Sequence, residues 1–237
     1  MKKSILFVLF AMVSVMGFSQ FNGWNAKVGM NLSSWSEDEV DTKLGFRAGV
    51  GTEYMFSNIL SLQPSLFFSL KGCKADSEGE LEDVRGKAKV TVNQMYLELP
   101  VMLAARFNVA NKTNLVVTAG PYAGYGIGGK TKVDLRMNDE KLKMKFNSFG
   151  KVDKVTIEQG GKTQDVPLSE LVGNFGDIEF ENNDNKFLNR FDFGLGVGLA
   201  LEFNRFIVGL DGQFGLTELA DKGPKNLNYA VSVGYKF

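Results

Sequence analysis

The chain of 237 residues contains no histidine, one cysteine and only five prolines. Without histidine it lacks the general base that most hydrolases and acyl transferases use, and a conventional zinc site lacks its ligands as well. The lone Cys73 cannot form an intramolecular disulfide. Basic and acidic residues balance at 27 each, so no charge excess of the kind that binds nucleic acid is present. We therefore expect no enzyme, no metal, no cofactor and no nucleic-acid partner.

Long hydrophobic runs are also missing, because beyond the N-terminus no segment has the 18 or so consecutive apolar residues of a transmembrane helix. The N-terminus itself has two lysines, the apolar run SILFVLFAMVSVM and then small residues. This order is typical of a secretory signal peptide. We predict a signal peptide at 1–19, cleavage before Gln20 and a mature domain at 20–237.

What the sequence has in abundance is alternation, together with 27 glycines and 20 phenylalanines. Eight segments place bulky apolar residues on one side of an extended chain and small or polar residues on the other, which is the period of a β-strand. The connections alternate between short turns and longer polar loops, as in outer-membrane barrels. The predicted strands are 24–32, 43–56, 59–72, 93–107, 115–129, 190–203, 206–219 and 229–237.

The smaller face of these strands indicates which side meets lipid. In RFDFGLGVGLALEF the residues between the large apolar ones are mainly glycine and alanine, whereas a soluble barrel would expose lysine, glutamate and threonine. Small residues suit the crowded interior of a narrow barrel. We predict an all-β fold, an eight-stranded antiparallel transmembrane up-and-down β-barrel, with a long extracellular insert at 130–189 between strands 5 and 6.

The inward face carries a few charges of both signs, which predicts ion pairs that plug the lumen, with a narrow conductive path as the alternative. A carboxylate pair, Asp192 with Glu202 or Asp211, is the weaker catalytic hypothesis. Pro64 predicts a bulge or a local gap in strand pairing. Beside the short turns we expect a lower aromatic girdle of Phe56, Phe107, Phe203 and Phe206. The predicted lumen charges are Lys27, Arg47, Glu53, Lys71, Glu98, Arg106, Asp192, Glu202, Asp211 and Lys236.

The insert carries the individual features of the chain. Hairpins are predicted at 133–146 and 155–166, a short helical turn at 167–175, and a charged loop of about twenty residues is expected earlier, after strand 3. The insert either caps the barrel mouth or recognises an extracellular protein or glycan. Calcium binding is a further alternative for the acidic residues Asp177, Glu179, Glu181 and Asp184.

Five segments together resemble the Bacteroidetes-type outer-membrane β-barrel family called PorT-like: LSLQPSLFFSLKG, YLELPVMLAARF, AGPYAGYGIGG, RFDFGLGVGLALEF and VSVGYKF. The resemblance covers the mature chain except 130–189. It implies an outer-membrane location in contact with outer-membrane lipid, and insertion by the barrel assembly machinery through the aromatic C-terminal strand, here with Tyr235 and Phe237. The expected function is structural or surface-binding, the alternatives being a small channel or an accessory of a secretion system of the type IX kind.

Overall fold

The computed structural model describes residues 21–37, 40–81, 84–137, 140–149, 154–160, 162–167, 187–220 and 223–237. The predicted signal peptide and its cleavage site therefore lie outside the described residues. Within these ranges, no helix has the length and apolar character to cross a bilayer.

Twelve β-strands in the described part of the chain form one antiparallel sheet. Numbered in chain order, they are β1 Phe21–Trp35, β2 Asp41–Met55, β3 Leu60–Leu81, β4 Val84–Ala110, β5 Thr113–Gly128, β6 Lys130–Met137, β7 Glu140–Asn147, β8 Lys154–Gln159, β9 Lys162–Pro167, β10 Phe191–Phe203, β11 Phe206–Gly215 and β12 Asn226–Lys236.

Eight of these strands close into a ring in the order β1, β2, β3, β4, β5, β10, β11, β12. The last strand pairs with the first, with Tyr235 opposite Ala26 and Val233 opposite Val28. Closure leaves no sheet edge in the ring, which is what a sheet needs in a hydrocarbon environment that offers no hydrogen bonds. The predicted eight-stranded antiparallel barrel is confirmed.

The orientation of the two faces also agrees with the prediction. Along β10, Leu195, Val197 and Leu199 point outward and are about half exposed, while Asp192 and Glu202 are buried inside the ring. The inward glycines are needed there because large side chains cross the lumen. A Cβ atom on Gly194, for instance, would lie 2.6 Å from the Tyr122 ring.

β3 and β4 extend beyond the barrel as a long hairpin, so the charged loop expected after strand 3 is wrong. They pair without a change of register from Leu60 opposite Ala105 to Leu81 opposite Val84. Alternation is weak in 73–81 and 84–92, and the strands there are held by pairing within the hairpin and with β6. Pro64 causes no bulge in this ladder, but pairing is interrupted just after it, at Ser65 and Leu66, so the local gap is confirmed.

The hairpin carries the insert. β4 pairs with β5 inside the barrel and with β6 above it, and β6, β7, β8 and β9 then follow in order. The hairpins predicted at 133–146 and 155–166 are confirmed by the β6–β7 and β8–β9 pairings. We call the six-stranded assembly of 73–81, 84–92 and β6–β9 the extracellular sheet. Apart from Pro167, the helical turn predicted at 167–175 and the acidic residues at 177–184 lie outside the described residues.

Candidate functional site

The periplasmic end of the lumen is crossed by four charges on four alternate strands of the ring. Arg106 on β4 reaches Glu53 on β2 at 2.9 Å and Glu202 on β10 at 3.0 Å. Lys236 on β12 reaches Glu202 at 2.6 Å and Glu53 at 3.4 Å. We call these residues the charge quartet. The net charge of the quartet is zero. Its ion pairs join strands that are not neighbours in the ring, across the lumen.

Glu53 is the most heavily coordinated member of the charge quartet. Its carboxylate also accepts hydrogen bonds from the Ser61 hydroxyl at 2.6 Å and the Gln63 amide at 2.9 Å. A buried charge is stable only when ion pairs and hydrogen bonds replace its lost hydration, and Glu53 has both.

The middle of the lumen is crossed by Arg47 on β2, which reaches Asp211 on β11 at 3.4 Å. The guanidinium also lies 4.0 Å from the centre of the Phe67 ring, a cation–π contact. Lys27 lines the same level, and within the described residues its ammonium has no ion-pair or hydrogen-bond partner. A cavity of about 40 Å³ remains here, which is space for a few water molecules.

The outer level of the lumen is a fully buried polar network. The Lys71 ammonium contacts the Glu98 carboxylate, which also accepts a hydrogen bond from Ser69 at 2.7 Å. Asp192 accepts hydrogen bonds from the Tyr122 hydroxyl at 3.2 Å and the Asn226 amide at 2.9 Å. The lumen is therefore crossed at three levels, and every predicted lumen charge takes part in one of these contacts except Lys27.

The carboxylate pairs considered from the sequence, Asp192 with Glu202 or Asp211, lie far apart along this lumen. Asp192 and Glu202 are ten residues apart on β10, roughly 33 Å along a strand. Asp211 pairs at the level of Gly198, six residues from Asp192. The catalytic pairing considered from the sequence is therefore wrong. The described residues also contain no cluster of three or more metal-ligating side chains.

A hydrophobic cluster covers the outer mouth above these networks. Phe149 and Leu188, both from the insert, form an isolated bridge, and the Phe149 ring packs edge-on against Tyr96 with 5.3 Å between centroids. The insert thus covers the mouth, as one of the two sequence hypotheses stated. Phe149 and Leu188 lie in irregular segments with no periodic signal, so sequence reasoning missed them. The members of this mouth cluster are Cys73, Val92, Tyr96, Phe149, Leu188 and Leu219.

Cys73 is the single thiol of the chain and lies in the mouth cluster, above the lipid-facing part of β3. It is 2% exposed, and burial raises the pKa of the Cys73 thiol to about 12. A thiol with a raised pKa holds little reactive thiolate at neutral pH. Cys73 is therefore a structural side chain and a sensitive reporter of whether the mouth is closed.

The extracellular sheet has two unlike faces. Register places Val133, Leu135 and Met144 on the side continuous with the lumen, where Val155 is buried against Met144. The opposite side carries ion pairs between neighbouring strands, such as Lys143 with Glu158 at 3.1 Å. The Lys143 hydrogen bond lowers the pKa of the Glu158 carboxyl. The apolar side is partly covered, and the charged side faces away from the barrel axis.

The C-terminal strand ends in a cluster of aromatic rings at the periplasmic side. Tyr235 packs edge-on against Phe206 and Phe237, each with 5.5 Å between centroids, and Arg205 donates a hydrogen bond to its hydroxyl at 3.4 Å. Phe237 is 72% exposed, and its backbone N–H donates a hydrogen bond to the Trp24 carbonyl at 2.9 Å. The residues of the expected girdle, all exposed beside short turns, are Phe56, Phe107, Phe203 and Phe206.

Comparison with known proteins agrees with this architecture. The sequence profile of a family described as "Outer membrane protein beta-barrel domain" matches residues 18–221. No curated protein matches the chain.

Three solved structures are similar over most of their length. Ail, the attachment invasion locus protein of Yersinia pestis, is 15% identical with a TM-score of 0.35, over 91% of this chain and 99% of that one. Neisserial surface protein A is 10% identical with a TM-score of 0.38, over 92% and 99%. The translocator domain of the autotransporter NalP from Neisseria meningitidis is 12% identical with a TM-score of 0.27, over 100% and 96%. These low TM-scores support no functional comparison.

Proposed function

This chain belongs to the outer membrane protein beta-barrel domain family, and from that premise we propose that it is a sealed, non-enzymatic barrel that displays the extracellular sheet for recognition. It is an integral outer-membrane protein, and its exposed apolar belt meets outer-membrane lipid. The proposal goes further in three respects: the lumen does not conduct, no reaction is catalysed, and the sheet binds a protein or glycan outside the cell.

The observation that carries the sealed lumen is the charge quartet. Arg106, Glu53, Glu202 and Lys236 join four alternate strands across the periplasmic end of the ring. An ion entering from the periplasm would have to break these contacts and leave charges unpaired in a confined space, which is costly. The mouth cluster closes the other end with apolar side chains.

The observation that favours recognition is the free edge of the extracellular sheet. β9 ends the strand order and pairs with β8 alone among the described strands, and five of its six side chains are exposed. An exposed edge strand is a template on which an extended segment of another protein can add as a further strand. The charged face beside it offers polar groups to a glycan.

Conductance in planar bilayers tests the sealed lumen. We expect the purified full-length protein to give no stable unitary current. Reproducible unitary steps from the unaltered protein would favour the alternative of a small channel and overturn the proposal.

Binding at the sheet edge needs a separate experiment. We expect a photoreactive residue at Gln164 on β9 to crosslink an extracellular ligand when intact cells are irradiated, and the same probe at Leu199 on the lipid face to give none. Equal crosslinking from both positions would count against the sheet edge. Recovery of secretion components would instead support the accessory alternative.

Two finer proposals follow from the sequence. We propose that Tyr235 and Phe237 form the signal read by the barrel assembly machinery, since the exposed Phe237 ring packs against Tyr235 beside the lipid-facing belt. We also propose membership of the PorT-like branch of Bacteroidetes barrels, supported by the five quoted segments. Truncation of Phe237 that leaves the amount of assembled barrel unchanged would oppose the first of these.

A further inference from the structure

A recess lies where the barrel ends and the extracellular sheet begins. Gly72 and Gly129 both have positive φ, at +146° and +140°, and both pack directly against the backbone of β4. A Cβ atom on Gly129 would lie 2.1 Å from the Asn93 carbonyl oxygen, so only glycine allows the wall to change direction here. The recess has a volume of about 540 Å³.

The lining of this recess is strongly basic. Lys43, Lys130, Lys132 and Arg190 contribute to it, and no acidic side chain does so among the described residues. Lys71 also lines it, but Glu98 neutralises that ammonium. Four positive charges are therefore concentrated on one small surface without a counter-charge in its lining.

Part of this charge is held in place. Arg190 donates a hydrogen bond to the Gly126 carbonyl at 2.7 Å, and its guanidinium lies 5.9 Å from the centre of the Phe149 ring. Arg190 uses Nη1 for the backbone, which leaves other N–H groups for an anion. The Lys130 backbone is fixed through its carbonyl, which accepts a hydrogen bond from the Asn93 amide at 2.9 Å.

The membrane side of the recess is apolar. Leu70, Met95 and Ile127 line it, and the outward side chains of Met95 and Ile127 belong to the lipid-facing belt. The recess thus combines cations above with hydrocarbon contacts below, at the level of the membrane surface. A molecule that fits both halves carries an anionic group and an acyl chain.

We propose that this recess binds the phosphate-bearing headgroup of an outer-leaflet lipid, with Lys130, Lys132 and Arg190 contacting the phosphate. Basic pockets at membrane surfaces bind anionic headgroups in this way, and guanidinium groups match phosphate oxygens in a bidentate geometry. The inference goes beyond the proposed recognition by the sheet edge and does not depend on it.

The test measures lipid binding to the full-length protein. The protein is placed in phosphatidylcholine nanodiscs, and retention of added phosphatidic acid is followed by native mass spectrometry. We expect Lys130→Gln/Lys132→Gln to bind the lipid about 30-fold more weakly, from about fivefold for each lysine near the surface. The control Lys141→Gln/Lys154→Gln removes the same charge from the same sheet outside the recess and should bind like the unaltered protein.

Two further arms distinguish a lipid from a free anion. Inorganic phosphate and glucose 6-phosphate carry the charge without the acyl chains and should compete weakly. If either competes as well as phosphatidic acid, or if the recess and control variants bind it equally, the proposal is overturned. Lys130 and Lys132 are exposed, so their variants retain the fold, which the heat-dependent mobility of the barrel in electrophoresis verifies.

Discussion

Replacing Arg106 with methionine should destabilise the barrel severely, because it leaves two buried carboxylates facing one ammonium. Arg106 is 14% exposed, and its partners Glu53 and Glu202 are 5% and 7% exposed. The substitution changes the net charge of the quartet from zero to −1. Removing one partner of a buried ion pair costs about 3–5 kcal/mol, and we expect a loss of that size.

The assay is urea unfolding of the protein refolded in phosphatidylcholine vesicles, followed by tryptophan fluorescence. The matched control is Lys87→Met, which breaks the Lys87–Glu78 pair at 2.6 Å on the extracellular sheet, where the side chains are 58% and 68% exposed. An exposed pair contributes about 0–1 kcal/mol, so this control should be nearly silent although its distance is shorter.

A double variant separates charge balance from packing. Arg106→Met combined with Glu53→Gln returns the quartet to zero net charge, so it should be more stable than Arg106→Met alone. Two results would refute the reasoning. The first is a free energy of unfolding for Arg106→Met within about 1 kcal/mol of that of the unaltered protein. The second is a double variant whose loss of stability equals the sum of the losses from the two single substitutions.

Three further predictions concern other parts of the wall. Val197→Arg, at the middle of the lipid face of β10, should cost about 2–4 kcal/mol in vesicle refolding, and Phe203→Arg at the periplasmic edge about 0–1, so equal costs would oppose the assigned membrane depth. Gly126→Val should speed maleimide labelling of Cys73, because the new Cβ would lie 2.5 Å from the ring that covers the mouth; unchanged labelling would show that this ring does not close it. The lowered pKa of Glu158 means that its contribution to stability is present above the unfolded pKa and lost as the pH falls through the folded value. Hydrogen exchange between β7 and β8, corrected for its intrinsic pH dependence, should therefore rise on acidification, and Glu158→Gln should remove that rise.

The barrel could be predicted because every ring strand has to satisfy lipid on one side and a crowded lumen on the other. This requirement produces a strict alternation in the sequence. Leu195, for example, faces lipid, and the next residue, Gly196, faces the lumen. The stretches 74–81 and 84–86 have no such demand, because they lie beyond the lipid-facing belt. Their strand conformation comes from pairing within the hairpin and with β6, whose register with β4 no local pattern records.

The candidate site was predictable only in part, for a related reason. Alternation places Arg106 and Glu202 on the inward face, but which of the inward charges meet depends on how far neighbouring strands are staggered around the ring. Phe149 shows the other limit, because a single aromatic residue in an irregular segment gives no sign that it will close the mouth. The basic recess likewise collects residues from six separate segments.

The register of β3 and β4 is unchanged from the barrel into the extracellular sheet, so the two parts are mechanically coupled. A pull applied near Leu81 and Val84 is transmitted along both strands toward the periplasmic turn, because their register does not change over this length. The load is then shared by the many hydrogen bonds that join the two strands. A cell held by a partner on this sheet would therefore be anchored through the barrel wall itself, not through a tether.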